Sequence, residues 1–115
     1  MMYLNERIDD LQRGGLRVIQ RADAFRFGTD AVLLADFAAP RRHDRVCDLG
    51  TGTGIIPLLL YARENTISAD AVEIQPDMAD MAARSMAMNG LNEKIRVLSG
   101  DLRSIRTLLP HARYD

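Results

Sequence analysis

The sequence predicts an α/β fold: a mostly parallel sheet in a three-layer sandwich with helices, preceded by a short N-terminal β-hairpin. Three observations carry this. Strand-like and helix-like segments alternate three times after residue 44. A loop with glycines at alternate positions (Gly50, Gly52, Gly54) joins the first of these strands to an apolar helix. An acid, Glu73, stands near the end of the next strand. Alternating elements of these lengths fold as right-handed crossovers on a parallel sheet.

The elements follow in order. Residues 3–13 are mixed and polar and suggest no element. Leu16–Gln20 alternates and is rich in β-formers, so it reads as a strand, with Gly14-Gly15 as the turn before it. Ala24–Phe27 reads as a second short strand, ended by Gly28. Thr29 suits the N-cap of a helix from Asp30 to about Ala38, with Asp30 in its first turn and Pro40 as its stop. Arg45–Leu49 is a strand. Ile55–Arg63 is an apolar helix in which Pro57 is tolerated near the start. Ala69–Ile74 is the next strand. Pro76 to about Met88 is a helix, with Pro76 and Asp77 at its start and Asn89-Gly90 at its stop. Ile95–Leu98 is a third strand, and Leu102–Leu109 a helix capped by Asp101. Residues 1–28 are thus an N-terminal extension with the hairpin, and 29–115 the start of one domain.

Composition narrows the class. The chain has 115 residues, 47% of them hydrophobic and 27% charged, as in an ordinary globular domain. The longest apolar run, Ile55–Ala62, falls well short of the roughly 20 residues of a membrane span. The N-terminus has no apolar signal core. Fifteen basic against 16 acidic residues leave a net charge of -1, which argues against a basic surface over the whole chain. One cysteine, Cys47, makes neither a disulfide nor a zinc site, so the expected compartment is the cytoplasm. His43 and His111 lack metal-ligand spacing.

The chemistry concentrates in Asp48-Leu49-Gly50-Thr51-Gly52-Thr53-Gly54. Glycine permits a tight turn and close backbone approach to a ligand. The helix start beyond it offers N–H groups to an anionic group such as a carboxylate. A dinucleotide loop reads G-x-G-x-x-G; here the spacing is G-x-G-x-G, with Asp48 two residues before the first glycine. A carboxylate there suits a cationic amine and opposes a pyrophosphate. S-adenosyl-L-methionine carries an ammonium, a carboxylate and a sulfonium, and no phosphate, so charge favours it over a dinucleotide. Glu73 suits ribose hydroxyls. Asp101 either accepts from an adenine amino group, with Leu102 against the ring, or only caps its helix. Met78, Met81, Ala82, Ser85 and Met86 share one helix face and read as core. Cys47 reads as a buried small hydrophobe. Arg41, Arg42 and Arg45 around His43 read as a solvated loop before they read as a phosphate contact.

With these residues in view, the chain resembles a class I S-adenosylmethionine-dependent methyltransferase, Rossmann-like in fold. The resemblance implies cofactor contacts from Asp48, Leu49, Gly50, Thr51, Gly52, Gly54, Glu73, Ile74, Asp101 and Leu102. The stretch Arg21–Ala35, and Phe27-Gly28-Thr29-Asp30 within it, resembles the bacterial tRNA1(Val) adenine methyltransferases. It implies that Phe27, Gly28, Thr29 and Asp30 lie beside the cofactor and that tRNA is the substrate. Members that methylate amines carry an Asn/Asp-Pro-Pro-Tyr/Phe tetrapeptide at the end of the fourth strand, which this sequence lacks. Arg113-Tyr114-Asp115 looks like the start of that strand. The resemblance therefore covers the cofactor half, with three of the family's seven strands, and the catalytic residues stay unassigned. It also implies an unpaired edge on Arg45–Leu49, open to self-association. Alternatives are a methyltransferase for protein glutamine or ribosomal RNA, a nicotinamide-dependent oxidoreductase, and a non-catalytic cofactor-binding module that needs a partner chain.

Overall fold

A computed structural model describes residues 2–23, 29–104, 109, 114 and 115. A two-stranded antiparallel hairpin, β1 (Glu6–Asp10) and β2 (Arg17–Arg21), precedes α1 (Thr29–Ala38). Then come β3 (Arg45–Leu49), α2 (Ile55–Arg63), β4 (Ser68–Glu73), α3 (Pro76–Met88), β5 (Ile95–Ser99) and a short 3-10 turn at Leu102–Ser104. The sheet is parallel, in the order β3-β4-β5.

This is the expected α/β architecture, and the boundaries of β3, α2 and α3 coincide with those read from the sequence. Strands β2 and β4 shift by one residue and β5 gains one at its end, so that Ile74 lies just past the end of β4. Helix α1 opens at Thr29 itself, one residue earlier than expected. The proposed strand Ala24–Phe27, and Phe27 and Gly28 as site residues, lie outside the described residues, as does the Thr29 side chain. Of the helix expected over Leu102–Leu109, the 3-10 turn is described.

The hairpin corrects one reading. Its first strand is Glu6–Asp10, within the stretch that looked too polar for any element. Leu16–Gln20 was expected to follow the Gly14-Gly15 turn; the turn in fact joins two strands, pairing Glu6 with Arg21 and Asp10 with Arg17. Gly14 and Gly15 have φ of 60° and 71°. Consecutive left-handed residues of this kind reverse a chain in a tight hairpin, so the glycine pair was the signal for β1. Cross-strand pairing overrides the poor β propensity of Glu6, Asp9 and Asp10.

The core lies between the helices, the hairpin and one face of the sheet. Leu58 and Ile67 are fully buried there, with Leu11, Val18, Met86 and Ile95 beside them. Helix α1 packs on α2, and α2 on β3 and β4. Helix α3 lies against β4, β5 and the outer edge of β2. At that edge the Ile19 amide donates to Ser85 Oγ at 2.8 Å, and the Arg17 amide to Asn89 Oδ1 at 2.9 Å. The methionine face of α3 is buried as expected at Met81, Ala82, Ser85 and Met86, whereas Met78 is half-buried toward the glycine loop.

Two features sit at the margins. Cys47 is half-buried, because β3 is an edge strand and one flank of its side chains stays open. Burial pushes its thiol above the ordinary cysteine range. At the same edge the Asp115 amide donates to the Arg45 carbonyl at 2.9 Å, and the Arg45 amide to Asp115 Oδ2 at 2.8 Å. The Tyr114 hydroxyl donates to Asp70 Oδ2 at 2.7 Å. On the hairpin, Arg84 clamps Glu6 through two hydrogen bonds, of 2.7 and 2.6 Å. That bidentate contact holds the Glu6 carboxyl down at about 2.

A depressed carboxylate adds stability above its unfolded pKa and loses it as pH falls through the folded one. Chemical unfolding of the chain at a series of pH values is expected to show this loss between about pH 4.5 and 2. Glu6→Gln is expected to remove that part of the pH dependence.

Candidate functional site: the glycine loop and its two carboxylates

The site forms where β3, β4 and β5 end. The chain leaves β3 at Leu49 and turns at once. The Gly50 and Thr51 amides both donate to the Val72 carbonyl, at 2.8 and 2.9 Å. This double contact ties the start of the loop to the end of β4. The Gly54 amide donates back to the Thr51 carbonyl at 3.0 Å, which closes the turn into α2. Gly54 has φ +88°, and a Cβ there would stand 2.6 Å from Met86 Cε and 3.4 Å from Ala82 Cβ. The left-handed φ favours glycine there, and a Cβ would also push the Met86 methyl aside. Gly50, at φ +75°, has open space where its Cβ would be.

The two carboxylates expected from the sequence meet at this loop. Glu73, only 7% exposed, accepts from the Gly52 amide through Oε1 at 2.8 Å and from the Gln75 amide through Oε2 at 3.0 Å. Asp48 is half-buried, and its Oδ2 accepts from the Thr51 hydroxyl at 2.7 Å. Burial raises the Asp48 carboxyl above the usual range; the Thr51 bond opposes this, and the nearby Glu73 charge adds to the rise. No arginine or lysine among the described residues pairs with either acid. The loop therefore carries two neighbouring carboxylates that no cation among the described residues balances.

The sequence placed N–H donors for an anionic ligand group at the helix start beyond the loop, and the loop itself does not add to them. The amides of Gly50, Thr51, Gly52 and Gly54 are all engaged by the protein's own acceptors. The physical cause is the tightness of the turn and the reach of the Glu73 side chain. The donors left at the helix start are those of its first turn.

Around the acids stand exposed apolar residues. Leu49 is 53% exposed, Ile74 57% and Leu102 45%. Leu49 ends β3, Ile74 follows β4 and Leu102 lies three residues past β5, so all three strand ends offer apolar surface. Asp101 caps the 3-10 turn through the Arg103 amide at 2.9 Å. It also accepts from the Arg103 guanidinium at 2.6 and 2.9 Å, which lowers its carboxyl. Capping, one of the two readings for Asp101, is thus present. Asp30 is exposed in the first turn of α1. Sequence reasoning missed the partners that fix the site, the Val72 carbonyl and the Gln75 amide. Backbone groups leave no trace in residue identity.

Glu73→Gln keeps the size of the side chain but turns an N–H toward one of two backbone donors. Its expected cost is about 1–3 kcal/mol, the usual penalty for a buried group left unpaired. Amide exchange should quicken selectively at Gly52 and Gln75 relative to the core of α3. Gly54→Ala is expected to lose at least about 1–2 kcal/mol from its left-handed φ alone, which thermal unfolding would read as a drop of several degrees.

Comparison with known proteins fits this geometry. The family model described as "Methyltransferase small domain" matches residues 21–109. A protein of Tolumonas auensis named tRNA1(Val) (adenine(37)-N6)-methyltransferase is 36% identical over 93 residues, covering 80% of this chain and 38% of its own. A Parabacteroides distasonis protein of the same name is 38% identical over 79 residues, covering 69% of this chain and 33% of its own. The chain thus spans under two fifths of the length of these two relatives. Among solved structures, the "SAM Dependent Methyltransferase" of Agrobacterium tumefaciens superposes with a TM-score of 0.74 at 18% identity, over 100% of this chain and 39% of its own. The C-terminal domain of precorrin-6Y C5,15-methyltransferase from Rhodobacter capsulatus gives 0.64 at 21% identity, over 76% and 47%. These last two likenesses speak to the fold, which is that of the Rossmann-like methyltransferases. A parallel sheet, a glycine loop braced by a strand-end acid and a match over most of the sequence agree: the chain belongs to the methyltransferase small domain family.

Proposed function

We propose that this chain is the cofactor-binding part of an S-adenosylmethionine-dependent methyltransferase that acts on the exocyclic amine of an adenine in tRNA. The observation that carries the reading is the unbalanced pair of carboxylates, Asp48 and Glu73, at the glycine loop. A pyrophosphate would meet two negative charges there. A ligand with an ammonium and a ribose meets one carboxylate for its cation and another for its hydroxyls. Glu73 has lone pairs to spare beyond its two backbone bonds. Ile74 and Leu102 suit the two faces of an adenine. Phe27, Gly28, Thr29 and Asp30 complete the cofactor contacts in this reading, on the strength of the resemblance to the tRNA group. The names of the relatives support tRNA as the substrate.

When bound, S-adenosylmethionine supplies an electrophilic methyl group on a sulfonium. The chain's residues hold and orient the ligand; transfer needs the amine close to that methyl and in line with the departing sulfur. The tetrapeptide that positions the amine in related enzymes does not occur in this sequence. Binding without turnover is therefore the expected behaviour of these 115 residues, in the cytoplasm.

Calorimetric titration with S-adenosylhomocysteine, with NAD as control, tests the reading. Heat from the former alone is expected, and NAD binding alone would overturn it. Asp48→Asn removes the charge facing the ammonium, and a weakening of about tenfold or more is the expected outcome. Methyl incorporation into tRNA by the pure chain would contradict the division between binding and turnover.

The edge of β3 belongs to the same reading. Asp44 and Gly50 point their backbone groups to β4, so by alternation Arg45, Cys47 and Leu49 point theirs outward. Asp115 takes those of Arg45, and no described residue takes those of Cys47 and Leu49, which in this reading are rungs for a strand from another chain. Sedimentation is expected to show self-association. A monodisperse monomer with one cooperative melt would refute it.

A further inference from the structure

The hairpin holds two buried donors that find no acceptor among the described residues. Arg7 Nη2 and Gln20 Nε2 are both shut off from solvent and lack a hydrogen-bond partner there. Arg7 and Gln20 face each other across the β1–β2 ladder, so their side chains leave the same face. The rest of Arg7 is fully committed. Its Nε donates to both oxygens of Asp9 at 3.1 Å, and its Nη1 to the carbonyls of Arg21 at 3.1 Å and Ala22 at 2.8 Å. The guanidinium is thereby aimed, with one nitrogen left over. Gln20 is 6% exposed. An unpaired buried N–H costs folding energy, and two on one face of the hairpin call for an acceptor.

Their place in the fold says where that acceptor comes from. Arg21, next to Gln20, pairs with Asp77 in the first turn of α3. Helix α3 starts three residues after Glu73, whose carboxylate braces the glycine loop. The open end of the hairpin therefore lies at the same end of the molecule as the proposed cofactor site. At that site the amides of Gly50, Thr51, Gly52 and Gly54 are already consumed. What the loop side offers a ligand carboxylate is therefore the first turn of α2 alone.

We propose that Arg7 Nη2 and Gln20 Nε2 together receive the carboxylate of an amino-acid-bearing ligand at this end of the sheet; the proposal rests on the cofactor reading above. The charge of Arg7 is already balanced by Asp9, so a bare anion such as phosphate would bury an uncompensated charge. The carboxylate of an amino acid brings its own ammonium, and Asp48 stands ready for that. Gln20 is a specificity residue in this arrangement: it recognises the amino-acid end and not the nucleoside.

The test compares S-adenosylhomocysteine with 5′-methylthioadenosine, the same nucleoside thioether without the amino acid, by calorimetry on the 115-residue chain. Gln20→Met is expected to weaken the former about tenfold or more and to leave the latter unchanged, while the melting temperature stays level or rises. Gln20→Glu places an acceptor against Arg7 Nη2 and is expected to raise the melting temperature and weaken S-adenosylhomocysteine further. A residue that only supports the fold would show the reverse, a lower melting temperature with unchanged affinity. Unchanged affinity for both ligands in both variants would mean that the two donors hold a buried water alone, and would overturn the proposal. Equal weakening of both ligands would overturn the carboxylate assignment. Absence of S-adenosylhomocysteine binding by the unmodified chain would sink the cofactor reading and this proposal with it, an outcome distinct from a failure confined to the variants.

Discussion

The carboxylate of Glu73 joins the two turns on which the site depends. One oxygen holds the Gly52 amide of the loop after β3, and the other holds the Gln75 amide at the start of α3. A carboxylate that accepts two backbone N–H groups is a strong brace, because each bond is charge-assisted and sheltered from water. It also fixes the spacing between the two helices whose first turns flank the site. The Val72 carbonyl adds a second tie on the same strand end, holding Gly50 and Thr51. Strand β4, buried along most of its length, is thus the rigid element from which loop and acid are both positioned.

The brace has a consequence for charge. Glu73 stays close to Asp48, which is itself half-buried, and no described cation lies between them. Folding alone does not favour such a pair. Natural sequences tolerate local conflicts of this kind mainly where a ligand resolves them. The raised Asp48 carboxyl records the same tension, since burial and the neighbouring charge both oppose its ionisation. A cationic ligand would relieve both. The orphan donors of Arg7 and Gln20 are the opposite case, buried donors short of an acceptor. The acids stand at the ends of β3 and β4, and the donors stand on the β1–β2 hairpin.

The N-terminal hairpin is bound into the fold at several points. The edge of β2 hydrogen-bonds to Ser85 and Asn89 along α3, and Glu6 and Arg21 pair with Arg84 and Asp77. Val18 and Ile19 enter the buried interior. The extension is therefore a wall of the domain. The opposite margin is different. Among the described residues, Asp115 alone pairs with the outer edge of β3, at Arg45, and α1 leaves Phe37 83% exposed with Leu33 and Leu34 beside it. The relatives, more than twice as long, have further chain available to cover such surfaces.

Periodicity and punctuation in the sequence determined the sheet, its order of elements and the place of the ligand loop. Pro76 and Asn89-Gly90 mark the ends of α3, and the alternate glycines between Leu49 and Ile55 mark the turn; each is a local property that residue identity encodes. The acids at Asp48 and Glu73 were legible for the same reason. Strand β1 was not, because its polar residues become a strand only through pairing with β2, a contact that lies outside any local window. Tertiary structure alone decided that Glu73 spends its first two hydrogen bonds on backbone amides, that Cys47 sits at an edge, and that Arg7 and Gln20 face each other with donors unused. These depend on which groups meet across the fold, and a backbone amide or a spare N–H has no signature in a one-dimensional chain.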